Sequence, residues 1–180
     1  MKEDRQDLTT GSIWGKMLFF SIPLMLTNLL QVLFNMADIA VIGQFAGALS
    51  LGAVGSTTTL VTLFTGVLIG MAGGINVLVA RYFGARDKTS TVHTIHTALL
   101  VSLITGIIVL AFGMIFSKGI LEIMNTKEEL LNGAVLYIRI YFLGMPALAL
   151  YNFGNAVCSA FGDTKKPLYY LSAAGVVNVV

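Results

Sequence analysis

Charge is what this sequence has least of. Asp, Glu, Lys and Arg make up 11% of its 180 residues, against about 25% in an ordinary soluble domain. Between Asp38 and Arg81, and again between Lys88 and Lys118, there is no charged side chain. A helix in water has one face that must meet solvent, so runs this bare exclude a conventional soluble bundle. A single cysteine, Cys158, excludes an intrachain disulfide. The net charge of +2 is small and unclustered, and gives no basic surface for nucleic acid. No G-x-x-x-x-G-K-[ST] loop is present, so the chain has no phosphate cradle for ATP. An H-E-x-x-H metal motif and a cysteine pair are missing as well. The opening Met-Lys-Glu-Asp-Arg is as acidic as it is basic, and the apolar run after it exceeds the 7–15 residues of a secretory leader.

What is present is apolar length. A bilayer core of about 30 Å needs about 20 apolar residues at about 1.5 Å each. Four stretches meet this, near 17–42, 49–79, 95–116 and 130–157, and a fifth, 168–180, starts and then stops after 13 residues. The expected fold is therefore all-α: a polytopic transmembrane bundle of about four full spans plus a truncated fifth. The fifth reads as cut in mid-helix. Trp14 and Lys16 read as interfacial anchors of the first span.

Charge placement orients the spans. Lys2, Arg5 and Lys16, then Arg81, Arg86 and Lys88, then Lys165 and Lys166 fall on one side, and only Lys118 and Lys127 on the other. Basic residues stay on the cytoplasmic side, so the N-terminus is expected there, with the bilayer as the first partner.

The few polar residues inside the apolar runs are the candidates for function. Asn28, Gln31, Asn35 and Asp38 are spaced by three, four and three, and so share one face of the first helix. Such a face turns toward other helices or a watery cavity. Amides alone fit interhelical hydrogen bonding. With Asp38 at the end, a cation or proton site is expected, although Asp38 lies about 32 Å from Met17 along a straight helix, at the outer edge of the core. Pro23 predicts a kink that would keep Asp38 inside. In the second span Thr58, Thr62, Gly66, Gly70 and Gly74 recur every four residues, which predicts close helix packing. Gly73 and Gly74 ahead of Asn76 predict a loosened helix. In the fourth, Pro146 predicts a kink, and Tyr151, Asn152 and Asn155 are candidates for a cavity wall. Arg139 reads as snorkelling or pairing near the outer end. Asn178 is the strongly polar side chain of the fifth stretch. His93 and His96, with no third ligand nearby, read as interfacial, and no metal or organic cofactor is expected.

Three motifs carry a family resemblance. The first helix, with Pro23 and the run Asn35-Met-Ala-Asp-Ile-Ala-Val-Ile-Gly43, resembles that of the multidrug and toxic compound extrusion (MATE) transporters. Ala80-Arg-Tyr-Phe-Gly-Ala-Arg-Asp87 is similar to that family's loop after the second helix, and Phe161-Gly-Asp-Thr-Lys-Lys-Pro167 to its loop before the fifth. The resemblance covers essentially the whole chain, with one departure: Ser159 stands where many members carry an arginine. It implies two six-helix lobes, of which residues 1–180 would be the N-terminal one and the second would be missing. It further implies multidrug efflux of amphiphilic or cationic compounds by antiport with sodium or protons, in the cell membrane. Asp38 would be the acidic coupling residue, with Asn35 and Asn178 beside it, and drug-like small molecules and the C-terminal lobe would be partners. The alternatives are a lipid-linked substrate flippase of the same superfamily, which would want a cationic cavity, and a non-transporting membrane scaffold. An intramembrane enzyme lacks a nucleophile–base pair.

Overall fold

The computed structural model describes residues 13–179, except for the side chains of Ile13, Lys16, Asn178 and Val179. Lys2, Arg5 and Val180 lie outside the described residues. The elements are α1 (Ile13–Val41), a π-turn (Ile42–Ala46), α2 (Gly47–Gly84), α3 (Lys88–Ile123), α4 (Glu128–Leu143), α5 (Met145–Ala160) and α6 (Lys165–Val179). No strand occurs among the described residues. The all-α fold expected from the apolar runs is what forms.

Two stretches are long and apolar enough to cross a membrane, Met17–Gly84 and Lys88–Ile123, and a third arises if the α4–α5 pair counts as one. Met17–Gly84 would measure about 100 Å if straight, three times a bilayer core. It folds back instead. The turn before α6 touches both Phe20 near the start of α1 and Phe83 at the end of α2, so these helices run antiparallel. The reversal uses the π-turn and Gly47, whose φ of 79° suits a residue without Cβ.

Helices α2 to α5 pack on one another and hold the core. Leu68, Leu121, Ile138, Phe142 and Met145 are fully buried at its centre, and Phe64 meets Phe142 edge to face at 5.1 Å. A second cluster, Ala72, Ile75, Val79, Ala98 and Ala156, closes the bundle toward the other end. Helix α3 makes room for its neighbours with a buried small-residue face, Ser102, Gly106, Gly113 and Ser117. A Cβ on Gly106 would come 2.8 Å from Pro146 Cα, and one on Gly113 would strike the Phe142 ring. The elbow between α4 and α5 thus lies across α3.

The structure departs from the sequence expectations along α2 and agrees with them in the fourth stretch. The small-residue stripe of α2 is not the packing seam: a Cβ on Gly66, Gly70 or Gly74 would meet nothing within 4 Å among the described residues. Periodicity located a face of α2, but the buried face is a different one, carrying Ala53, Thr57, Leu60, Leu68 and Ala72. Gly73 and Gly74 do not loosen α2, which stays helical through Asn76, whose side chain donates to Ala156 O of α5 at 2.9 Å. The kink expected of Pro146 forms, since the stretch 130–157 divides into α4 and α5, bent by 46°. The break sits at Gly144, and Pro146 lies in the first turn of α5, where its missing N–H costs nothing. Helix α1 remains α-helical through Pro23.

Helix α1 stands apart from the bundle and packs mainly against α6. Pro23 and Thr27 of α1, and Thr164, Pro167 and Gly175 of α6 and its lead-in, are buried, with the Phe34 ring seated on Gly175.

Candidate functional site

The polar face of α1 and the polar residues of α4 and α5 lie on the two sides of the seam between the α1–α6 pair and the bundle, with α1 itself packed mainly on α6. Asn28, Gln31, Asn35 and Asp38 all lie on α1 and are exposed in the described chain, because α6 covers a different side of that helix. The Asp38 carboxylate is not isolated, and Tyr137 of α4 stands within range of its charge. Seven residues back, Gln31 reaches toward the Tyr151 hydroxyl of α5 but stops short of hydrogen-bond geometry.

Helix α5 adds two polar atoms that the chain leaves unsatisfied. The Tyr151 hydroxyl and Asn155 Oδ1 are buried and have no hydrogen-bond partner among the described residues. They lie four residues apart and so share a face. A buried polar group without a partner costs about 1–3 kcal/mol. Groups held this way are suited to take their partner from something that enters the seam. Asn152 differs, because its Nδ2 donates to Leu148 O of its own helix at 3.0 Å. The structure therefore sets Tyr151 and Asn155 on one face of α5 with Gln31 near Tyr151, leaves Asp38 about two turns further along α1, and has Asn152 bonded within its own helix. Asn178 lies on α6, its side chain outside the described residues.

Tyr137 is the residue that the sequence did not single out. Its signal is faint: a hydroxyl in an apolar run, four residues before Tyr141, whose own hydroxyl lies 3.4 Å from Thr65 Oγ1 of α2. Arg139 is not part of the cluster, since its Nε donates to Ser117 Oγ of α3 at 3.3 Å. His93 and His96 are both exposed.

At the far end of α1 lies the turn before α6. Gly162 takes φ 80°, and Asp163 accepts from the Lys166 amide at 3.3 Å and pairs with Lys166 Nζ at 2.9 Å. Partial burial opposes charge on Asp163, but the bonds from Lys166 prevail and hold its carboxyl below the usual range. The Phe161-Gly-Asp-Thr-Lys-Lys-Pro167 motif is thus a helix-capping turn, as its glycine and proline predict.

A helical bundle whose outer faces are apolar over lengths that can cross a bilayer is a membrane-embedded protein. The MatE family profile matches residues 23–180, and the chain belongs to that family. The Probable multidrug resistance protein YoeA of Bacillus subtilis (strain 168) is 30% identical over 97% of this chain and 38% of that protein. The Probable multidrug resistance protein YpnP of the same organism is 32% identical over 97% of this chain and 39% of its own length. A crystal structure of MATE in the bent conformation superimposes with a TM-score of 0.90 at 24% identity, covering 99% of this chain and 40% of that one. At that identity the likeness is one of fold. The chain spans about 38% of the length of the curated relatives it matches.

Proposed function

We propose that this chain forms the cation-coupling part of a secondary active multidrug exporter, which drives amphiphilic or cationic compounds out of the cell by antiport with sodium or protons. The observation that carries this reading is the seam: the polar face of α1 with Asp38 at its end, and across from it two buried polar atoms of α5 with no hydrogen-bond partner among the described residues. A carboxylate at membrane depth costs about 2.5–3.5 kcal/mol on insertion scales, a cost that a bound cation or proton offsets. In this reading Asp38 holds the coupling ion, with Asn35 and Asn178 near it. Gln31, Tyr151 and Asn155 line the path of the exported compound, and Asn28 continues that wall.

Ion and drug couple only if each binds one arrangement of the helices better than the other. A shift from 1:99 to 99:1 needs about a 10⁴-fold difference in affinity. Helix α1 is the element able to supply two arrangements, since it carries the acidic residue and a proline and is held mainly by α6. The flippase alternative is the weaker one, because the embedded cation Arg139 is engaged with Ser117 rather than aimed at the seam. The remaining expectations stand as parts of the proposal: basic ends and N-terminus toward the cytoplasm, a location in the cell membrane, no organic cofactor, and a second lobe to complete the path.

The test is ethidium efflux from cells that lack their own exporters and express the transporter carrying this chain. Asp38→Asn is expected to abolish efflux while the protein still reaches the membrane, and collapsing the sodium or proton gradient is expected to do the same. Undiminished export by Asp38→Asn would sink the role given to Asp38.

A further inference from the structure

Two sequence motifs remain outside the seam, the one ending α2 and the one preceding α6. The structure joins them. Phe161 stacks edge to face on Phe83 with ring centres 4.7 Å apart. Three residues on, the buried Thr164 donates through Oγ1 to Phe20 O of α1 at 3.3 Å. Lys165 then places Nζ 4.6 Å from the centre of the Phe19 ring. One short turn thereby touches the end of α2 with its first residue and the start of α1 with its last.

The point of contact on α1 matters. Pro23 has no N–H, so Phe19 O, four residues earlier, loses its helical donor. Phe20 O is the next carbonyl along. Thr164 and Lys165 therefore land on the turn of α1 that the proline weakens. From Pro23 to Asp38 is 15 residues, about 22 Å of helix. A change of about 10° at Pro23 moves Asp38 by about 4 Å, enough to part it from its neighbours.

We propose that the Phe161–Pro167 turn is a clasp, with Phe161 and Thr164 as positioning residues that hold the proline-weakened end of α1 against α2. Closed, the clasp fixes α1 and α6 on the bundle at this end, while the π-turn fixes α1 at the other. Open, it leaves α1 and α6, joined through Phe34 and Gly175, free to swing as a pair. That the swing serves transport rests on the function proposed above. The existence of the clasp does not, and its test needs no transport.

The sole cysteine supplies the reporter. Cys158 O accepts the Asp163 amide at 2.9 Å, which ties this half-buried residue to the turn. In nanodiscs, N-ethylmaleimide is expected to alkylate Cys158 about tenfold faster in Phe161→Ala, which loses the aromatic pair and the area beneath it. Thr164→Val keeps the shape and removes the donor. Amide hydrogen exchange across 19–27 is expected to quicken about fivefold in that variant, and to stay at the wild-type rate in Thr164→Ser. Neither readout depends on export, which separates a failed clasp from a failed coupling site. Wild-type rates in both Phe161→Ala and Thr164→Val, with helicity by circular dichroism unchanged, would overturn the proposal. If Phe161→Ala loses helicity, Thr164→Val decides alone: wild-type exchange overturns the clasp, and faster exchange supports it.

Discussion

The bundle α2–α5 and the pair α1–α6 are built from the same apolar alphabet but hold together differently. The bundle is interlocked. Its helices cross at Gly106 and Gly113, where the elbow of α4–α5 fills the space a side chain would need, and its centre is aliphatic and aromatic. The pair has one such contact, Phe34 on Gly175, and otherwise joins the bundle at its two ends. The polar residues follow the same division. Asp38, Asn35, Gln31 and Asn28 sit on the loosely held α1, and their counterparts Tyr137, Tyr151 and Asn155 sit on the bundle side of the seam. A rigid wall facing a movable one is the arrangement a two-state device requires, since packed cores switch between discrete states rather than deform.

The comparison is broken hardest by overpacking the bundle. In Gly106→Val the new side chain meets the backbone of Pro146, which has no rotamer to move out of the way. Overpacking of this kind costs about 1–3 kcal/mol. Thermal denaturation in detergent is expected to show a single transition at a clearly lower temperature, with α2 to α5 losing protection together. A native melting temperature would mean that the elbow is not packed on α3.

Gly175→Val asks the same of the pair. Its side chain would collide with the Phe34 ring, which can turn away, so the cost is expected to be smaller, about 1 kcal/mol. The effect should also be local. Hydrogen exchange is expected to rise in α1 and α6 and stay unchanged in α2–α5. A uniform rise through all six helices would show that the pair and the bundle are one cooperative unit.

How much of this the sequence carries depends on the kind of contrast involved. The helical membrane class is legible because solvent sets it: long uncharged runs have one physical explanation. The α1 polar face is legible because four polar residues at helical spacing in an apolar run stand out. The seam's other wall is harder to see. Tyr151 and Asn155 are visible as polar residues, but Tyr137 becomes a candidate only when α4 is laid against α1. Helix breaks follow sterics more than composition. Pro146 marks the kink of the fourth stretch, and the structure adds that the bend falls at Gly144 with the proline beginning α5. Small-residue spacing is the least informative signal. It marked a face of α2 that meets nothing within the described chain and passed over Ser102, Gly106, Gly113 and Ser117 of α3, whose spacings of four, seven and four conceal one buried face.

That last contrast yields the smallest predicted effect. Gly70 and Gly74 face no other part of the described chain, so an added methyl meets no neighbour. Alanine in a helix interior is favoured over glycine by about 0.5–1 kcal/mol. Gly70→Ala and Gly74→Ala are therefore expected to leave the melting temperature of this chain unchanged or slightly higher, the opposite sign from Gly106→Val. The same pair placed in the longer transporter carries separate information. If the stripe faces lipid or water there, the sign stays the same. If a helix of the remaining transporter lies against it, the methyls meet that backbone, and the sign turns toward that of Gly106→Val. Measuring both variants in both settings thus separates a face that is bare by nature from one that awaits a neighbour, using substitutions that disturb nothing else in the bundle.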